Sequence, residues 1–239
     1  MSDEDFKYSG ADELSITENS LPKYNEYIVK CILASIEDKA RRPEILDFGA
    51  GIGTLSKLLQ TKTNSAITCF EIDAKQAAIC KKKGLVVYDN FQKLEGQSFD
   101  LIFSSNVLEH IRDDFEVVKQ LRKLLKPNGI LFTYVPAFNF LWTDMDTKVG
   151  HIRRYSKTRL RNLMLENHLQ IESIKYVDCL GVLAMLTVQV LGFNSAGGLG
   201  DSKSLHLYDN FIWPISRKLD LAFNKIAGKN LMIIATKEN

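Results

Sequence analysis

The sequence predicts an α/β fold whose sheet carries helices on both faces, and three observations lead there. Short apolar runs alternate with helix-length segments as far as Pro136. The run Ile45-Leu46-Asp47-Phe48 ends at the glycine loop Gly49-Ala50-Gly51-Ile52-Gly53. The next apolar run ends on an acid, Glu71. At 239 residues and 45% hydrophobic, the chain can bury a core and is read as one domain over 1–239.

Residues 1–19 read as a polar arm. Tyr24, Tyr27, Ile28, Cys31, Ile32 and Ile36 then recur at helical spacing, which places an amphipathic N-terminal helix within 20–42. Buried strands follow at 45–48, 66–71, 85–88, 99–104 and 130–135. Helices at 54–61, 75–83 and 114–125 connect them, the second stopped by Gly84 and the third by Pro127-Asn128-Gly129. Asp73 is placed to cap the second of these helices. The rhythm weakens after Pro136, where a helix at 158–167 and strands at 170–177 and 231–236 bring the strand count to seven. An apolar, glycine-containing insertion of about Gly181 to Lys229 separates the last two strands and has no assigned shape.

Composition narrows the partners. With 31 basic and 29 acidic residues the net charge is only +2, so nucleic acid is not expected. Cys31, Cys69, Cys80 and Cys179 lack paired spacing, so neither a metal site nor a disulfide framework is expected, and a reducing cytoplasm fits. The N-terminus has no basic flank and apolar run of an export signal. The stretch from Cys179 to Phe193 falls short of the ~20 residues that span a bilayer. It is apolar on every helical face, which suits a buried helix, a homodimer contact or peripheral membrane contact through 179–213 at the inner face of the membrane.

Glycines after a buried strand let backbone approach a ligand, and the next helix offers unpaired N–H groups. Glu71, at the end of the second strand, can accept hydrogen bonds from the vicinal hydroxyls of a ribose. A nicotinamide dehydrogenase shares this physics, but its loop is spaced G-x-G-x-x-G, whereas Gly49, Gly51 and Gly53 are spaced G-x-G-x-G.

Four segments in order, ILDFGAGIG (45–53), CFEID (69–73), FDLIFSSNVLEHI (99–111) and LKPNGILFTYVP (125–136), resemble the class I S-adenosylmethionine (SAM)-dependent methyltransferases. The resemblance implies a Rossmann-like, doubly wound, seven-stranded and mainly parallel sheet with one antiparallel strand, and a SAM-binding core over 43–136. Asp47, Gly49, Ala50, Gly51 and Gly53 would flank the amino acid end of SAM, and Glu71 and Ile72 the ribose. Asp89, Asn90 and Phe91 would lie by the adenine, and Asn106, Val107 and Leu108 by the sulfonium. YNEYI (24–28), VLEHIRDD (107–114) and VPAFNFLWTDMDTKVGHIRRY (135–155) are similar to a bacterial group that methylates diverse small molecules, with Tyr24 and Asn25 as a lid. The implied product is S-adenosyl-L-homocysteine, and a noncatalytic SAM-binding scaffold is the alternative from another class.

Acceptor chemistry is expected within 137–229. His151 is the candidate base, because an imidazole titrates near neutrality, with His110 behind it. Arg153 and Arg154 suit an anionic acceptor unless an arginine pairs internally with Asp144 or Asp146. Trp142 and Tyr155 would wall the acceptor, with Asp146 and Arg153 beside it and Arg154 and Tyr155 joining His151 in catalysis. The acceptor would be anionic or hydrophobic, even lipid-linked, and methylated at oxygen.

Overall fold

The computed structural model describes residues 10–36, 42–63, 65–191 and 202–238. Seven strands form one sheet in the order β3-β2-β1-β4-β5-β7-β6. They are β1 (Ile45–Phe48), β2 (Ile67–Phe70), β3 (Val86–Tyr88), β4 (Phe99–Ser105), β5 (Leu125–Pro136), β6 (Leu169–Val177) and β7 (Asn230–Lys237). The first five pair in parallel, while β7 runs antiparallel to both β5 and β6. All four residues of β1 are buried, as a central strand covered on both faces requires.

The helices are α1 (Ala11–Ser20), α2 (Pro22–Ile36), α3 (Thr54–Thr63), α4 (Ala74–Lys82), α5 (Asp114–Leu124), α6 (Asp144–Lys148), α7 (Lys157–Glu166), α8 (Cys179–Leu191), α9 (Ser202–Leu207) and α10 (Trp213–Phe223). On one face of the sheet, Val118 and Leu121 of α5 and Leu160 and Met164 of α7 pack with Leu46, Ile102 and Leu131. On the other, Val29 and Ile32 of α2 and Leu59 of α3 pack with Ile45, Leu101 and Phe132. Local chemistry sets the helix starts. Asp73, Asp113 and Ser156 each accept a hydrogen bond from the backbone N–H three residues on, at the heads of α4, α5 and α7. Gly84 leaves α4 at φ +79°, the left-handed stop its position suggested.

Two expectations change. Residues 11–19, placed in a polar arm, are helical in α1, while residues 1–9 lie outside the described residues. Its anchors are long-range: Glu18 accepts from Thr54 Oγ1 at 3.0 Å and pairs with Lys83, and the Ser20 and Ser202 hydroxyls lie 3.0 Å apart. Among the described residues the insertion forms three helices. Residues 192–201 of the insertion lie outside the described residues, and Ser202 and Lys203 begin α9. A π-helical turn, Tyr208–Ile212, joins α9 to α10. No described helix is long and apolar enough to cross a membrane. Although α8 is apolar all round, it is not enclosed, since Leu183 is 58% exposed.

Candidate active site

The strand order reverses between β1 and β4, so the loops that follow these strands diverge and leave a crevice at their C-terminal ends. A cavity of about 1020 Å³ occupies it, reached by the glycine loop, the end of β4, α6 and α8.

The donor end is built from backbone. Gly49 sits at φ +79°, and a Cβ there would overlap the Val107 methyls, so both conformation and space demand glycine. The Gly51 N–H donates to Glu71 Oε2 at 2.7 Å and the Asp73 N–H to Oε1 at 2.8 Å. Glu71 therefore pins the loop while its remaining lone pairs stay available at the cavity wall. Burial raises its carboxyl above the usual range, against the pull of those two N–H groups. Burial also pushes the Asp47 carboxyl up to about 7, partly offset by the Ser56 hydroxyl donating to it at 2.7 Å. Asn106 leaves β4 at φ +55°, its N–H donating to Tyr134 O at 2.8 Å, which turns the chain along the cavity edge.

Ala50, Gly51, Ile72, Asn106 and Val107 line the cavity with Asp47, Gly49 and Glu71, and so do Tyr24 and Asn25 from α2. The Tyr24 hydroxyl is committed to the Tyr134 hydroxyl at 2.7 Å and the Asn230 amide at 2.8 Å, so its ring serves as wall. Five residues expected on the donor side sit elsewhere. Gly53, Asp89, Asn90, Phe91 and Leu108 are not part of the cavity lining. Gly53 instead packs on Leu85 and Cys80, and Leu108 is core. Asp89 pairs with Lys93 at 2.6 Å, Asn90 caps the following turn, and Phe91 meets Phe70 edge-on with ring centroids 5.8 Å apart.

At the acceptor end Trp142, Asp146, His151 and Arg154 line the cavity. Arg154 is held in a two-pronged pair, Nε and Nη2 each 2.8 Å from the Asp146 oxygens, with Nη1 donating to Ala137 O at 3.2 Å. His151 Nδ1 lies 2.7 Å from Asp146 Oδ1. Burial alone would raise the Asp146 carboxyl, but His151 and Arg154 hold it far below its usual range. Asp146 thus orients His151 and neutralises Arg154, the internal pairing weighed from the sequence as the alternative to an anionic acceptor. Arg153 is likewise spent, on Asp114 at 2.6 Å and on Arg112 O at 2.7 Å. Tyr155 is wholly buried, donating to Asp114 Oδ2 at 2.8 Å, and it too is outside the cavity lining.

Sequence reasoning missed Glu109, Met185, Leu205 and Tyr208. Glu109 is fully buried beside His151, and burial pushes its carboxyl up to about 8. Its signal was present, since an acid in the apolar run Val107 to Ile111 calls for a partner. The other three come from α8, α9 and the turn that follows, reaching the cavity only through the tertiary fold.

Comparison with known proteins agrees with this architecture. A family model described as a methyltransferase domain matches residues 23–174, more than half of the chain. A ubiquinone biosynthesis O-methyltransferase of Histophilus somni is 32% identical over 103 residues, covering 37% of this chain and 43% of the relative. A glycine/sarcosine/dimethylglycine N-methyltransferase of Actinopolyspora halophila is 25% identical over 186 residues, covering 67% of this chain and 33% of the relative. The chain thus spans under half the length of these curated relatives. Among solved structures, a putative sarcosine dimethylglycine methyltransferase from Galdieria sulphuraria aligns with TM-score 0.60 at 17% identity, covering 90% of this chain and 85% of that one. A SAM-dependent methyltransferase from Archaeoglobus fulgidus gives 0.60 at 15% identity, covering 89% and 94%. These likenesses are of fold.

Proposed function

The chain belongs to the methyltransferase domain family, and from that premise we propose that it transfers a methyl group from SAM to an oxygen of a small hydrophobic or lipid-linked acceptor. The observation that carries this is the continuity of one cavity from Gly49, Gly51 and Glu71 to His151 and Trp142. Its volume of about 1020 Å³ suits a nucleoside-sized donor with an acceptor beside it.

In this reading the ribose hydroxyls donate to Glu71, and the sulfonium lies along Asn106 and Val107. The acceptor oxygen attacks the methyl carbon in line, the C–S bond breaks with its electrons passing to sulfur, and S-adenosyl-L-homocysteine leaves. The protein's main work is alignment. His151, held by Asp146, activates the acceptor oxygen. The O-methyltransferase relative supports oxygen as the acceptor atom, and the apolar lining from Ala184, Met185 and Leu205 supports an apolar acceptor. With Arg153 and Arg154 engaged by Asp114 and Asp146, an anionic acceptor loses its main support.

The outer face of the π-turn and α10 presents Phe211, Ile215, Leu219 and Phe223 to solvent, with Lys203, Lys218 and Lys225 also exposed. This favours peripheral contact with an anionic membrane surface on the cytoplasmic side, where such acceptors dissolve.

Calorimetry with SAM, S-adenosyl-L-homocysteine and NAD tests the donor site. SAM and its product should bind, NAD should not, and Glu71→Ala should weaken SAM by roughly tenfold or more, as loss of a charge-assisted hydrogen bond predicts. Mass spectrometry after incubation with labelled SAM and a lipid extract should find an O-methylated product. His151→Ala should lower that turnover with SAM affinity nearly intact. Binding of NAD alone would reject the reading.

A further inference from the structure

Beside the acceptor end, three side chains converge for which methyl transfer by alignment alone has no need. Glu109, on the short turn after β4, is fully buried, and neither of its carboxylate oxygens has a hydrogen-bond partner. A buried carboxyl group with neither oxygen hydrogen-bonded is costly, so its presence there calls for something to meet it. Its Oε1 lies 3.8 Å from His151 Nε2, and the His151 and His110 rings meet edge-on with centroids 4.7 Å apart. One ligand atom from each of Glu109, His110 and His151 falls within 4.8 Å of the others. Both imidazoles line the cavity.

The surroundings of the two imidazoles are those of metal ligands. A histidine that binds a metal through one ring nitrogen commonly donates its other N–H to a carboxylate or a backbone carbonyl. His151 Nδ1 faces Asp146 Oδ1 at 2.7 Å, and His110 Nδ1 faces Gly150 O at 3.3 Å. Donation from His151 Nδ1 assigns the proton there and leaves its Nε2, 3.8 Å from Glu109 Oε1, as the ligand atom. Asp146 is itself fixed by the Arg154 fork and by the Thr143 N–H at 2.8 Å. His151 is therefore braced on its Asp146 side before any ion arrives.

We propose that Glu109, His110 and His151 bind a divalent transition-metal cation at the acceptor end of the cavity. Two imidazoles and one carboxylate favour a zinc-, manganese- or cobalt-like ion over magnesium or calcium, which prefer all-oxygen shells. Bonds of about 2.1 Å place neighbouring ligand atoms ~3.0–3.5 Å apart, so the present spread of up to 4.8 Å closes with side-chain rotation. Three protein ligands leave open positions facing the cavity. The metal's role deepens the function proposed above and rests on it. An acceptor hydroxyl bound there releases its proton to water more readily, and its oxygen then attacks the methyl carbon as already described. His151 then serves the acceptor oxygen through the cation, in place of the proton-accepting role expected from the sequence.

The test is a titration of the tag-free, chelator-treated full chain with Co²⁺, read by its visible absorption and by calorimetry, with SAM titrated separately. One equivalent should bind, with an absorption spectrum characteristic of nitrogen and oxygen ligation. Glu109→Gln, close to isosteric, and His110→Ala should each weaken binding at least about tenfold, and Asp146→Asn by roughly 10- to 100-fold through the outer shell. Thermal melting of each variant separates loss of the site from loss of the fold. No stoichiometric Co²⁺ binding by the parent chain, or equal binding by folded Glu109→Gln and His110→Ala chains, overturns the proposal. SAM binding by a chain that ignores Co²⁺ would sink the metal site alone, whereas Co²⁺ binding without SAM binding would sink the methyltransferase reading and leave the site standing.

Discussion

Asp47 is the residue where the donor site and stability meet. It is 3% exposed, its carboxyl is pushed up to about 7 by burial, and the neighbours that act on it are the Ser56 hydroxyl and the Glu71 carboxylate. An acid whose folded pKa exceeds its unfolded value of about 3.9 binds more protons in the fold, so its contribution falls as pH rises between the two and is constant above. Asp47→Asn removes this dependence. In urea denaturation the variant should gain on the parent chain by a few kcal/mol, as an order of magnitude, between about pH 4 and 7, and the gap should stop widening above. A constant gap across that range would show that Asp47 ionises normally. Residues of this kind were legible in the sequence because their demands are local. Gly49 needs a positive φ, Glu71 ends a strand, and Asn106 turns the chain. The partners of Arg153 and Tyr155 were not legible for the opposite reason. A guanidinium beside a histidine reads the same whether it faces a ligand or a carboxylate, and only the fold brings Asp114 to Arg153 and Tyr155.

Between elements, the clearest dependence is that of α2 on the π-turn. That turn carries the fully buried Asp209, whose carboxylate accepts from the Lys23 N–H at 3.0 Å and the Tyr24 N–H at 2.9 Å. It thereby caps α2 from 185 positions away in sequence and sets negative charge at the positive end of the helix. A single extra residue of helix is enough to re-aim a side chain, a common use of such a bulge. Asp209→Ala should cost about 2–3 kcal/mol, since two charge-assisted bonds are lost and two helix N–H groups are left without their acceptor. For a chain of this size that corresponds to a melting temperature lower by roughly 4–12 °C. Asp209→Asn, retaining one acceptor oxygen, should fall between Ala and the parent chain. Because Tyr24 and Asn25 line the cavity, the same order should appear in SAM affinity. Equal melting of all three would mean that packing alone holds α2. The periodicity of α2 was readable, but its cap was not, because the capping acid lies in another element. For the same reason α1 reads as a polar arm, its anchors being Lys83, Thr54 and Ser202.

The whole molecule divides into a sheet whose pattern is written along the chain and an insertion whose pattern is not. The central strands were readable because a strand buried on both faces is a continuous apolar run, as in β1. The stretch from Cys179 to Phe193 in this insertion is apolar too, but hydrophobicity alone does not say what covers it. Among the described residues of the insertion, much apolar surface is uncovered: Phe211 is 66%, Leu221 83% and Ile226 68% exposed, with Ile215, Leu219 and Phe223 also exposed. On α10 the acid Asp220 is buried, accepting from the Asp178 and Cys179 N–H groups at 2.9 Å, whereas Lys218 is exposed. A basic apolar face of this kind suits an anionic bilayer surface. The full chain should float with vesicles rich in anionic lipid and less with neutral ones, and added salt should weaken the difference. Leu219→Glu with Phe223→Glu, at exposed sites and therefore of small effect on stability, should abolish flotation and leave SAM binding intact. If instead the parent chain sediments as a dimer, and the same substitutions yield monomers with flotation absent throughout, the face joins two copies of this chain and the membrane assignment fails.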